Sequence, residues 1–194
     1  MIYSSSVALV LGAGGAKGYA HIGAIKAIEE AGLKVHAVAG TSMGALVGGL
    51  YAAGALERAQ KWLQSMNVLE VCLLTDLKNI SLRGLIDGEY IMEKLREFVS
   101  DVRIEDLPID YCAVATDLDS GEEVVIRRGS LLEAIRMSIS MPVIFAPYQK
   151  RGHRYVDGGL VNGLPINRVR RKRGDWVIAI DLDTYGRGSV GAMA

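Results

Sequence analysis

Ser42 lies in Gly40-Thr41-Ser42-Met43-Gly44, a GxSxG pattern between an apolar, valine-containing run that ends at Gly40 and an apolar run of helical length that begins at Gly44. A strand, a tight turn and a helix in that order hold a hydroxyl at the apex of an elbow. The flanking glycines are needed because a Cβ there would clash with the crowded backbone. The positive end of the following helix and the amide of Met43 would favour the negative charge that develops when a serine attacks a carbonyl. The chemistry implied is nucleophilic attack by Ser42. Small residues around a serine also occur wherever a strand packs closely on a helix, so the pentapeptide needs its context.

That context includes a second glycine-rich stretch, Gly12-Ala13-Gly14-Gly15-Ala16-Lys17-Gly18. It joins a short β-branched and aliphatic run, Val7 to Leu11, to a helical pattern from Tyr19 to Ala31 with Ile22, Ile25 and Ile28 on one stripe, closed by Gly32. A dinucleotide fingerprint fails here, because Ala13 and Lys17 fall on required glycines in the two possible frames. The next strand also ends in Gly40-Thr41-Ser42 with no acidic residue to hold a ribose. A Walker A loop fails because Lys17 is followed by Gly18, with no hydroxyl placed to hold magnesium. The third reading is an anion hole: consecutive glycines aim backbone amides at one spot, and Lys17, its stem packed into the loop, fixes their direction. In a parallel sheet, adjacent strands end on one edge, so the loop and Ser42 would face a common pocket.

A serine nucleophile needs a base. Of the histidines, His21 falls on the first helix and His36 begins the second strand, both structural positions; His153, shortly before Asp157, is the one retained. Asp157 offers the alternative. It precedes Gly158-Gly159 after a strand around Arg154 to Val156, on an exposed turn where a carboxylate can approach another loop, although an ordinary Asp-Gly turn reads equally well from the residues alone. Asp117 and Asp119 read as turn residues between the strand Tyr111 to Thr116 and its hairpin partner Glu122 to Arg127. Cys72 and Cys112 are far apart, form no metal pattern, and suit a reducing compartment.

The rest of the chain must position these groups. Its 194 residues suffice for one domain with a proper core, expected over residues 1–185, with a flexible tail over 186–194. Lysine plus arginine and aspartate plus glutamate both number 22, so no overall charge draws it to nucleic acid. The basic cluster from Arg168 to Arg173 reads first as a solvated helix end and second as a contact for anionic lipid. The first strand is not a secretion signal, and no window approaches the ~20 apolar residues of a membrane span. Leu56 to Met66 is amphipathic, Val68 to Leu74 is too apolar for a free loop, and Asp87-Gly88-Glu89 starts a helix through Phe98. These segments could form a lid or wall the core. Ser130 caps a helix with Glu133 in the capping-box position, and Ser138-Ile139-Ser140-Met141-Pro142 breaks it. Pro165 is expected to open a short helix, and Trp176 to Asp181 a last buried strand.

Taken together, GAGGAKGYAHIGAIKAIEE, GTSMGALVGGLYA, SMPVIFAPY and VDGGLVNGLPI resemble the patatin-like phospholipase family, its bacterial members above all. The resemblance covers nearly the whole chain and keeps the family's motif order. It implies a three-layer α/β/α sandwich with a mostly parallel central sheet. It also implies a Ser42/Asp157 dyad in which Asp157 is the base. Gly14 and Gly15 become the main amide donors, Lys17 and Gly18 support the loop, and Gly40, Met43 and Gly44 build the elbow. The implied reaction is hydrolysis of carboxylic esters of lipids (phospholipid, lysophospholipid, or short and medium acyl esters) through an acyl-enzyme, without metal or cofactor. A cytoplasmic enzyme, with peripheral contact at the inner membrane surface left open, would fit; no oligomeric state is implied. One departure is Ala13, where the family tends to have a third glycine; alanine keeps its amide, which serves if its φ is negative. The rivals are a fatty-acid-binding or regulatory protein that keeps the fold without catalysis, and a nucleotide-binding α/β protein.

Overall fold

The computed structural model describes residues 6–65, 88–142 and 144–182. The run Val68 to Leu74, the start at Asp87, Cys72 and the tail from Thr184 therefore lie outside the described residues. No helix among those described is long and apolar enough to cross a membrane.

The sheet is built on β1 (Ser6–Leu11), β2 (Lys34–Thr41), β3 (Asp110–Asp117) and β7 (Trp176–Ile180), which run parallel in the order β7-β1-β2-β3. Alternation sorts their side chains. Val7, Leu9, Leu11, Val38, Tyr111 and Ala113 enter the larger core, whereas Ala8, Val10, Ala37, Ala39 and Cys112 face the other side. The chain steps one way across the sheet from β1 to β2 to β3, so right-handed crossovers put α1 (Ala20–Glu30) and α2 (Met43–Ala52) on one face. α3 (Leu56–Ser65), α4 (Glu89–Phe98) and α5 (Leu131–Ser138) contribute to the same core through residues such as Leu63, Leu95 and Ile135. The return to β7 carries residues 158–175 over the opposite face, where Leu164 and Val169 cover the small residues. The result is an α/β sandwich.

β4 (Glu123–Ile126), β5 (Tyr148–Lys150) and β6 (His153–Asp157) add antiparallel pairings beyond β3. β3 pairs with β2 through Val114, with β4 over Ala113 to Thr116, and with β6 from Ala115 to Asp117. The overlaps with β4 require β2 and β6 to share one edge of β3, end to end. β6 therefore begins its pairing where β2 has just left.

α2 is buried on nearly every side, as its all-apolar sequence requires; among its residues only Tyr51 is partly exposed. Ser130 caps α5 by accepting the amide of Glu133 at 3.0 Å, as expected. Two expectations fail on the return path. Pro165 opens a single turn, closed by the amide of Arg168 on its carbonyl at 3.0 Å, and not a helix. The Arg168 carbonyl that would continue a helix instead accepts from Arg127 and from the Cys112 thiol. β7 is half-exposed, with Trp176 at 53%, because its place is the end of the strand order.

The tightest packing lies where α2 leaves the elbow. A Cβ on Gly44 would sit 2.1 Å from the carbonyl oxygen of Leu11, which is backbone and cannot move aside. Gly44→Ala is therefore expected to cost about 3 kcal/mol or more, beyond ordinary overpacking. Gly23→Ala, on the open face of α1 with nothing within 4 Å, should gain up to about 1 kcal/mol. Urea unfolding midpoints of the two variants measure both.

Candidate active site

Ser42 is the residue between β2 and α2, with φ 56° and ψ −124°. A non-glycine residue in so sparsely populated a region costs of order 1–3 kcal/mol and persists where surroundings over-determine it. The glycines on either side make the turn sterically feasible, since a Cβ on Gly40 would lie 2.6 Å from the amide nitrogen of Ala45. As the N-cap of α2, Ser42 makes no capping bond with its side chain. Its hydroxyl instead donates to Oδ2 of Asp157 at 2.6 Å, with both residues buried.

Asp157 reaches that position by register. It ends β6 opposite Ala115, one step beyond the last β2 pairing of Thr41 with Val114. Its amide donates to the Ser140 carbonyl at 2.9 Å and its carbonyl accepts the Thr116 hydroxyl at 2.8 Å. Oδ1 accepts the Gly159 amide at 2.7 Å, which leaves Oδ2 turned to Ser42. Gly158 must be glycine, because a Cβ there would lie 2.2 Å from the Val114 carbonyl oxygen.

The glycine-rich loop lines the same cleft as Ser42 and Asp157, through Ala13, Gly14 and Gly15. Ala13 has no positive φ, but its amide donates to the Gly163 carbonyl at 2.8 Å. The amide of Lys17 donates to the Gly14 carbonyl at 2.9 Å, whereas those of Gly14 and Gly15 have no acceptor among the described residues. Gly18 lets the loop press on the elbow, since a Cβ there would meet the Met43 side chain at 2.3 Å. Lys17 differs from expectation. Its side chain is exposed and reaches the Leu182 carbonyl at 3.3 Å, tying the loop to the chain after β7 and not packing into it.

The histidines are accounted for elsewhere. His21 is fully buried and its Nε2 bonds to the Gly12 carbonyl at 2.8 Å, which makes Nε2 the protonated nitrogen and fastens the loop to α1. Its Nδ1 has no partner among the described residues, and burial pushes its pKa down, against the Gly12 carbonyl, so the ring is neutral. His36 bonds to Asp175 at 2.7 Å. His153 bonds to Oδ2 of Asp117 at 2.8 Å on a side chain that is 58% exposed, and it makes no bond to Ser42. Asp117 and Asp119 behave as turn residues. Burial would raise Asp117, but the amides of Ser120 and Asp119 and the His153 ring hold it below its usual value.

Beside Ser42 lies an apolar pocket formed by Leu46, Ile91, Ile139, Met141, Ile144 and Phe145. α4 supplies Ile91 and sends Leu95 into the core, so this helix is a wall of both. Within the basic cluster, Arg168 is paired with Glu123, which lies opposite Thr116 on β3. Arg170 bonds to Asp110 at 2.6 Å, where β3 begins, so it lies at the end of the sheet opposite Ser42. Two contacts escaped sequence reading, the Ser138 hydroxyl on the Ser42 amide and the Ser140 carbonyl on the Asp157 amide. Two serines spaced by one residue between an apolar helix and Met-Pro were the available signal. Chemically, the arrangement sets a hydroxyl on a carboxylate, so that a proton can pass between them, beside two loop residues whose amides have no acceptor among the described residues.

Residues 9–169 match the family model described as patatin-like phospholipase. An uncharacterized NTE family protein of Mycobacterium tuberculosis is 44% identical over 180 residues, 93% of this chain and 50% of that protein. Human patatin-like phospholipase domain-containing protein 6 is 37% identical over 202 residues, 96% of this chain and 14% of that one. The Drosophila melanogaster neuropathy target esterase sws is 36% identical, over 92% of this chain and 13% of its own length. The chain thus spans half or less of the length of these relatives. VipD from Legionella pneumophila has a similar fold, with a TM-score of 0.67 at 16% identity over 91% of this chain and 49% of that one.

The neutral, buried His21 sets a pH dependence. The unfolded chain takes up its proton near the ordinary value of 6.5, while the folded chain does so only at lower pH. Its contribution to stability is therefore complete above about 6.5 and declines as the pH falls below it. In chemical denaturation from about pH 7.5 to about pH 5, wild type should lose more stability than His21→Gln, which keeps a donor for Gly12 but does not titrate.

Proposed function

The chain belongs to the patatin-like phospholipase family, and we propose that it hydrolyses carboxylic ester bonds of lipids with Ser42 as nucleophile and Asp157 as its base. The observation that carries this reading is the 2.6 Å bond from the Ser42 hydroxyl to Asp157, beside two loop amides without an acceptor among the described residues. Ser42 Oγ attacks the acyl carbonyl as its proton passes to Oδ2 of Asp157. The carbonyl oxygen becomes an oxyanion held by the amides of Gly14 and Gly15, with the start of α2 adding its positive end. Asp157 then gives the proton to the departing alcohol, and the acyl group remains on Ser42. Water repeats the sequence, losing its proton to Asp157 and releasing the acid.

A carboxylate of ordinary pKa ~3.9 is a weak base for a serine, so proton transfer and attack occur together and the amide donors carry much of the stabilisation. Ile91, Ile139, Ile144 and Phe145 line an apolar pocket beside Ser42 that would receive the acyl chain. The substrates we favour are lysophospholipids and esters of short to medium acyl length.

Hydrolysis of p-nitrophenyl butyrate and decanoate in the presence of chelator tests the reading. Ser42→Ala and Asp157→Asn should each lose at least about 10²-fold in kcat/KM, while His153→Ala stays near wild type. An inert wild type whose serine ignores a fluorophosphonate would instead fit a fatty-acid-binding protein. Ile91→Trp, which fills the pocket, should depress decanoate hydrolysis about tenfold relative to butyrate.

A further inference from the structure

The strained conformation of Ser42 has to be held by something besides the two glycines. Its amide donates to Oγ of Ser138 at 2.9 Å. Ser138 is fully buried, and its own hydroxyl donates to the Val114 carbonyl at 2.5 Å. Val114 is the last β3 residue paired with β2 before β6 takes over the same edge. The hydroxyl thus relays the Ser42 amide to β3 at the seam between the two strands, where neither β2 nor β6 continues the ladder.

The same turn holds Asp157. Two residues after Ser138, the Ser140 carbonyl accepts the Asp157 amide at 2.9 Å. Ser140 is itself fixed, since its hydroxyl donates to the Arg136 carbonyl at 2.6 Å and accepts from the buried Arg136 guanidinium. One turn at the end of α5 therefore grips the backbone of both members of the Ser42–Asp157 pair. A pair in direct oxygen-to-oxygen contact tolerates little displacement, and a shift of about 1 Å away from the chemistry can cost ~10²-fold in rate.

We propose that Ser138 is a positioning residue, whose hydroxyl holds the Ser42 backbone so that Oγ stays on the Asp157 carboxylate. This rests on the reading of Ser42 and Asp157 as nucleophile and base. Removing the hydroxyl leaves the Ser42 amide and the Val114 carbonyl buried without their common partner. The elbow then relaxes toward an ordinary backbone conformation and carries Oγ off the carboxylate. Substrate contacts in the apolar pocket do not involve Ser138, so KM should be little changed.

The test compares wild type, Ser138→Ala, Ser138→Cys and Ser42→Ala on p-nitrophenyl butyrate, with competent sites counted by the burst of p-nitrophenol and folding followed by thermal melting. The expected result is a fall in kcat per competent site of about 10- to 100-fold for Ser138→Ala, with KM within about twofold. Ser138→Cys keeps the shape with a weak hydrogen-bonding sulfur and should show the same fall; it decides the matter if the alanine variant does not fold. A Ser138 that serves folding alone would lower the melting temperature and the number of competent sites but leave kcat per site at the wild-type value, and that result overturns the proposal. If Ser42→Ala retains activity, the reading of the nucleophile fails instead, a result distinct from an unchanged Ser138→Ala beside a dead Ser42→Ala.

Discussion

One edge of β3 is shared by two strands, and the geometry of the site depends on that division. β2 occupies the edge as far as Val114, and β6, running the other way, occupies it from Ala115. Had β2 continued, residue 42 would have been one more ladder residue with its side chain on one face of the sheet. Because β2 leaves at Thr41, the chain turns into α2 at Ser42 and the vacated edge accepts Asp157. Two residues separated by 115 positions become neighbours at 2.6 Å without either lying on a long loop. The entropy of closing so wide a separation is met by the sheet and its core, and not by the site.

The seam explains why small residues and hydroxyls crowd this region. Gly158 must pass over the Val114 carbonyl and Gly44 over that of Leu11, at separations that leave no space for a Cβ. Where two strands meet end to end, ladder bonds are interrupted, and buried backbone amides and carbonyls left without partners would be costly. Side chains fill the gaps: Thr116 on the Asp157 carbonyl, Thr41 on the Asn162 carbonyl, and Ser138 between the Ser42 amide and Val114. The hydroxyls are a consequence of the strand exchange that brings Ser42 and Asp157 together.

Local sterics and periodicity made part of this legible in the sequence. GxSxG between two apolar runs specifies an elbow, and the glycine-rich loop before an Ile22, Ile25, Ile28 stripe specifies a strand-to-helix turn, because both depend on residues close in sequence. Asp157 was different. Asp117, Asp119 and Asp157 all stand at turns, and what separates them is the register of β6 on β3, which no local pattern encodes; the family resemblance supplied it. Ser138 and Ser140 were legible only as a helix stop, since the site residues they hold are distant in sequence or set by register: Ser42, 96 residues from Ser138, and Asp157 at the end of β6 for Ser140. The exposure of Trp176 follows from strand order, and the missing helix after Pro165 from tertiary bonds to Arg168 that outcompete a short helix.

In the proposed reaction, a carboxylate acting directly on a serine would shift the burden of catalysis toward the oxyanion donors, and the restraints on the loop fit that division. Gly12 is tied twice, its amide to the Ile180 carbonyl at 3.0 Å and its carbonyl to His21 at 2.8 Å. Ala13 is tied by its amide to Gly163 at 2.8 Å. Beyond these anchors Gly14 and Gly15 line the cleft, and their amides have no acceptor among the described residues. Donors held still by their neighbours, and engaged by no other acceptor, need no reorganisation as charge develops. The alanine at position 13, where the family tends to have glycine, fits this arrangement. Its amide belongs to the anchor, so in the proposed reaction the substitution removes no donor from the oxyanion.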